Sequence, residues 1–184
     1  KIITKLPVGH SVIANNSARA LLTQDFNVTL NHVTIANNNP LGTQFSFEHN
    51  YAQGDINIIN SIISSSNGIS LSPTGGSSNY SNCNLNIFSS NISNLNSTLS
   101  LYSAINYNLL NNIDSEFLFL DSANNDFHLG DYSDCIGAAM DTSLSLLLDL
   151  DGNPRPNPAG SNADIGAYEN ALGTPLLYGC TDSL

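Results

Sequence analysis

An all-β chain, and within that class a right-handed parallel β-helix with an irregular C-terminal cap, is the fold this sequence predicts, on three observations. A seven-residue phrase, His10-Ser11-Val12-Ile13-Ala14-Asn15-Asn16, returns 22 positions later as His32-Val33-Thr34-Ile35-Ala36-Asn37-Asn38 with five residues identical, and looser copies follow at Asn60–Ser64 and Ser90–Asn94. Short runs rich in Ile, Val, Leu and Thr are bounded by clusters of Asn, Ser, Gly and Pro, which is how strands and their turns are written. Residues 1–121 contain no stretch with the length and period of a surface helix. So short a phrase cannot bury its apolar side alone, so its copies must stack and share a core.

The elements follow in chain order. Residues 1–121 read as the coils, with strands over Phe26–Ile35 and Ile56–Ile63 and polar loops at Asn37–Leu41, His49–Gly54 and Asn67–Asn82. Reference isoleucines spaced 22, 27 and 30 apart predict that Ile13, Ile35, Ile62 and Ile92 form one inward stack, about 4.8 Å per coil. Asn15, Asn37 and Asn94 each stand two residues after such an isoleucine, and Ser64 holds that place in the third coil. Asn tolerates left-handed backbone angles and can bond its own backbone or its neighbour one coil away, so these three predict a corner ladder. A glycan-binding row of amides is the functional alternative. Residues 122–172 read as the capping segment, and 173–184 as a linker and the start of a following module.

Composition narrows the partners. Asn occurs 28 times and Lys plus Arg only four, while 41% of residues are hydrophobic, enough to build a core despite the polar tracts. The net charge of −11 arises in residues 114–184, where twelve carboxylates face one cation, Arg155; residues 1–113 balance three against three. Phosphate backbones and anionic membranes are bound by Lys and Arg, so neither is an expected partner. No apolar run approaches the roughly 20 residues of a spanning helix. A chain opening on Lys1 without a signal-like segment reads as processed or excised. Cys83, Cys135 and Cys180 lack metal-site spacing and read as small buried residues at 83 and 135, with Cys180 free to find a partner elsewhere.

The last third has a different vocabulary. Phe119-Leu120-Asp121, Asp126-Phe127-His128-Leu129, Ser133-Asp134-Cys135-Ile136-Gly137-Ala138, Asp149-Leu150-Asp151-Gly152-Asn153-Pro154-Arg155-Pro156 and Asp164-Ile165-Gly166-Ala167-Tyr168-Glu169 follow one another. This order of phrases resembles the closing segment of bacterial right-handed parallel β-helix surface proteins of the choice-of-anchor type, specifically over Asn112–Glu169 and more loosely over the coils before it. The resemblance implies a secreted or cell-surface protein, often from the Bacteroidetes and exported by type IX secretion with a C-terminal sorting module. Tyr178–Leu184 resembles the opening of a Cys-containing repeat that follows such segments.

Physically, a solenoid's last coil exposes an open core and an unpaired edge. Leu144, Leu146, Leu147, Leu148 and Leu150 are expected to cover it. Arg155, stiffened between Pro154 and Pro156, is expected to pair with carboxylates among Asp149, Asp151, Asp164 and Glu169. Asp149 and Asp151 also carry part of a calcium-loop pattern, but the full twelve-residue pattern is absent, which leaves calcium a weak candidate and no other cofactor expected. His10 and His32 share one place in two coils and read as a structural pair.

No residue is assigned a catalytic role. The expected function is a structural, adhesive or glycan-binding surface module, with polysaccharide or another surface protein as partner and end-to-end self-association through exposed edges. The alternative is a fragment of a carbohydrate-active β-helix, a lyase or glycoside hydrolase, which needs cations or paired carboxylates on adjacent coils. Asp25 and Asp55 stand at different offsets from Ile35 and Ile62, which does not place them as such a pair.

Overall fold

A computed structural model describes residues 8–17, 21–24, 27–38, 45–49, 53–64, 69–73, 82–96, 106–143 and 146–177, and over these the chain is nearly all β. The strands are β1 (Val8–Ala14), β2 (Leu21–Gln24), β3 (Val28–Ala36), β4 (Phe45–His49), β5 (Gln53–Ile59), β6 (Ile62–Ile63), β7 (Ile69–Pro73), β8 (Asn82–Phe88), β9 (Asn91–Ile92), β10 (Asn106–Leu110), β11 (Phe119–Asp121) and β12 (Asp126–Leu129). A seven-stranded parallel sheet runs β10-β8-β5-β3-β6-β9, with β1 also on β3. A second parallel sheet runs β2-β4-β7, and β11 and β12 form an antiparallel hairpin around a 3₁₀ turn at Ser122–Asn124.

The large sheet curls because its strands bend at one recurring residue. His10, His32, Asn60, Ser89 and Asn111 all have positive φ, between 43 and 54°. Left-handed angles cost an ordinary L-residue about 1–2 kcal/mol, and Asn bears them best because its side chain bonds locally. Strand β3 passes through this corner whole, pairing β5 with its first half and β6 with its second, whereas the next two repeats break there into β5 and β6, then β8 and β9. Asn15, Asn37 and Asn94 form a second left-handed row, at φ 53 to 56°.

The corner sets the register, and it corrects one predicted core residue. Ile13 pairs with Ile35, Ile35 with Ile63, and Ile63 with Ile92. Each of these isoleucines lies three residues after its left-handed corner, so the third rung of the stack is Ile63 and not Ile62. A slip of one residue exchanges the two faces of a strand, so Ile62 points the other way and packs with Leu129, Cys135, Ile136, Ala139 and Ile165. The inner core itself is Val28, Leu30, Val33, Ile35, Ile56, Ile58, Ile63, Leu85, Ile87, Ile92 and Leu95, with Ile13 partly buried against it.

The closing segment lies along the flank of the curled sheet. Gly166 N donates to Asn60 O at 2.8 Å and Ala167 N to Thr34 Oγ1 at 3.1 Å, tying it to the corner row. Its apolar contribution comes from Leu129, Cys135, Ile136, Ala139 and Ile165 rather than from the leucine run. Leu147 is 83% exposed, and Leu148 and Leu150 are also exposed; Leu146 is half-buried against Gly9, and Leu144 lies outside the described residues. The run is held outward because Arg155 N donates to Leu147 O and Leu150 N to Ala167 O, which fixes Leu147 to Leu150 as a narrow surface turn.

Candidate functional site

Arg155 stands at the centre of the contact between closing segment and sheet. Only 6% exposed, its Nη1 lies 2.8 Å from Glu169 Oε1 and donates to Asp164 O at 2.8 Å, while Nη2 donates to Gly166 O at 3.2 Å. Glu169 in turn accepts from Asp164 N and Asn157 N, both at 2.9 Å. Burial pulls the guanidinium pKa down and the Glu169 carboxyl up, and each opposes the other's shift. The pair stays ionised because neither group could be neutral without stranding its partner.

The other three predicted partners do different work. Asp149 accepts from Asp151 N, Asn153 N, Asn153 Nδ2 and Glu169 N at 2.7–3.0 Å; burial would raise its pKa, but these four donors outweigh it and hold the carboxyl below the usual range. Asp164 accepts from Gly137 N at 2.7 Å and Asn170 N at 2.6 Å, and burial pushes it up to about 7. Asp151 reaches His128. The side chain of Arg155 therefore forms an ion pair with Glu169 alone of the four, while two aspartates serve as backbone staples. The oxygens of Asp149 are thus taken up by N–H donors of the turn, while Asp151 turns toward His128. Among the described residues no group of three His, Cys, Asp or Glu side chains converges as metal ligands would.

His32 was expected as a structural pair with His10, which sits beside it across β1 and β3. The structure adds a network. Asn60 is fixed by Met140, whose N donates to Oδ1 and whose O accepts from Nδ2, both at 2.9 Å. The remaining Nδ2 hydrogen points at His32 Nε2, 3.1 Å away, while His32 Nδ1 lies 3.1 Å from Asp164 O. Burial, and then the Arg155 guanidinium 2.6 Å from Nδ1, push His32 down to about 3 and keep it neutral.

A second cluster lies outside. His128 Nδ1 is 2.6 Å from Asp126 Oδ1 and Nε2 is 2.8 Å from Asp151 Oδ2, with the ring stacked on Tyr168 at 4.0 Å between centroids. Burial opposes its charge, but the bonds to Asp151 and Asp126 outweigh burial and raise its pKa. Asp126 and His128, two apart on a strand, share a face in the sequence; Asp151 and Tyr168 join them only through the fold.

The third feature is the outer face of the large sheet. Alternation puts Val28, Leu30, Ile56, Ile58, Leu85 and Ile87 inward, leaving two outward columns, Asn27-Asp55-Asn84-Asn106 and Thr29-Asn57-Asn86-Asn108. In the second, Asn108 Nδ2 donates to Asn86 Oδ1 at 2.7 Å, Asn86 Nδ2 to Asn57 Oδ1 at 2.8 Å and Asn57 Nδ2 to Thr29 Oγ1 at 3.3 Å. In the first, Asn84 Nδ2 donates to Asp55 Oδ1 at 2.7 Å and Asp55 N to Asn27 Oδ1 at 2.8 Å. The period of two places these Asn residues on one face, a signal present in the sequence but masked there by the corner asparagines.

At the corners the ladder falls one residue later than expected. Asn16 donates through both N and Nδ2 to Asn38 Oδ1, at 3.0 and 2.7 Å. Asn15 instead reaches Asn125 Oδ1 and Asn37 reaches Ser122 O, joining the corners to the hairpin, and Asn94 shares their backbone conformation. Cys135 is a free, buried thiol pushed up to about 11 by burial and bonded by Asn91 Nδ2; Cys83 lies on β8 and Cys180 outside the described residues. Comparison with protein-family models, with curated proteins and with solved structures gives no match.

Proposed function

We propose that this chain is a right-handed parallel β-helix module of a secreted or cell-surface protein, with a structural and adhesive role in which the outer face of the large sheet binds glycan. The chain visits the large and small sheets alternately, β1, β2, β3, β4, β5, and both sheets are parallel, which is the order a solenoid produces. The likeness of Asn112–Glu169 to closing segments of choice-of-anchor proteins supports the surface location. The observation that carries the adhesive reading is the pair of outward columns, a surface of repeated amide donors and acceptors broken by one carboxylate, Asp55. Electrophoresis of the intact chain through gels containing neutral or uronate polysaccharides tests it. Retarded migration in at least one polysaccharide is expected, and unretarded migration in all of them overturns the glycan reading.

A further inference from the structure

The amide columns repeat in one direction only, and that direction constrains what can lie on them. We infer that this face takes an extended, uncharged polysaccharide laid across the strands, along the direction in which the repeats stack, with its hydroxyls on Asn57, Asn86 and Asn108 and a sugar face against Phe88 and Leu110. The inference rests on the glycan reading above and adds the class and orientation of the ligand. A carboxamide offers two donor hydrogens and two acceptor lone pairs. At Asn86 the ladder uses one of each, in the bonds to Asn57 and from Asn108. One N–H and one lone pair remain at that rung, and the same pair recurs about every 4.8 Å across the strands. A sugar hydroxyl donates and accepts in the same way, so a chain of them across the strands meets an equivalent partner at each step. A ligand along a strand would meet Asn84, Asn86 and Phe88 instead, three unlike neighbours.

The flanks fix the class. Beside the amides runs a third column, Ile59, Phe88 and Leu110, which goes from 9% exposed at Ile59 to 49% at Leu110 and gives an apolar border toward β10. Strands β3, β5, β8 and β10 carry no Lys or Arg, and the carboxylate among them is Asp55, so a uronate or sulfate would find repulsion and no counter-charge. A single carboxylate also supplies no acid–base pair, so the face binds without cleaving. The mutual bonds hold the rungs in place before a ligand arrives, which lowers the ordering cost of binding.

The test is calorimetric titration of the intact chain with neutral β-linked gluco-oligosaccharides of increasing length and with an oligo-uronate series. Affinity is expected to climb with each added unit and level off once the oligosaccharide outruns the three rungs. Asn86→Leu should weaken binding of the longest oligosaccharide about tenfold, the loss of one or two hydrogen bonds. Asn108→Ala, which removes only the exposed end rung, should keep the parent's melting temperature and bring the plateau to a shorter oligosaccharide. Affinity independent of length, preference for the uronates, or parent-like binding by Asn108→Ala with its plateau unmoved overturns this inference and leaves the glycan reading standing; absence of binding to every saccharide overturns both.

Discussion

Two buried groups, a guanidinium and an imidazole, face each other where the closing segment meets the sheet, and each makes a prediction. Arg155→Ala leaves Glu169 buried without its counter-charge and frees the carbonyls of Asp164 and Gly166. Loss of one partner from a buried pair costs about 3–5 kcal/mol, so a denaturant melt of the variant should show a drop of that size; a loss under about 1 kcal/mol would mean the pair is solvated. Arg155→Lys should recover only part, since an ammonium lacks the fork that reaches both carbonyls. His32 gives a pH signature. Folded, it stays neutral down to about 3, while the unfolded chain takes up a proton below about 6.5. The unfolded state therefore binds more protons between these values, and stability falls as pH drops through that window. His32→Asn, which suits the left-handed corner, removes this term: the stability of the parent relative to the variant should fall by about 1.4 kcal/mol per pH unit from pH 6 to 4. A pH-independent difference would contradict it. Arg155 was legible in the sequence as one cation among twelve acids. The roles of Asp149 and Asp164 were not, because they bond backbone N–H groups whose positions only the fold supplies.

Among the elements, the strands and their corners were readable from composition, but register was not. Ile62 and Ile63 are adjacent and chemically equivalent, and loop lengths vary between repeats, so isoleucine spacing cannot choose between them. What chooses is the left-handed corner three residues earlier, and in the third repeat that corner is Asn60. The two isoleucines therefore serve different interfaces, Ile63 the inner core and Ile62 the contact with the closing segment. Each Ile→Ala change should cost about 2–5 kcal/mol, with different distributions. Hydrogen exchange on Ile62→Ala should show early loss of protection at Gly166, Met140 and Ile165 while Ile35 and Ile58 remain protected. Ile63→Ala should weaken the sheet amides as well. Matching protection maps for the two variants would put both residues in one core.

At the scale of the molecule, the closing segment acts as a flank brace more than as an end cover. Its polar centre joins the corner row at His32, Thr34 and Asn60, while Tyr107, Leu109 and Leu110 on β10 remain 40–49% exposed. Because Asn91 bridges Ile113, the position after Ile113 continues the isoleucine stack, and there the chain has Asp114, exposed. A carboxylate in that place ends the apolar stack and discourages pairing of another edge there. The sequence predicted a cap over the end of the last coil rather than a brace along the flank, and it misplaced Leu147, Leu148 and Leu150, which are exposed, since hydrophobicity alone does not say which side of a turn faces in. The methyl NOE spectrum of an isoleucine-labelled sample reads the stacking of the coils most directly. A chain of cross-peaks Ile13–Ile35–Ile63–Ile92 is expected that also reaches residues of the small sheet, as a closed coil requires, with Ile62 connected instead to Ile136 and Ile165. Cross-peaks placing Ile62 in that chain, or none between the stack and the small sheet, would contradict it.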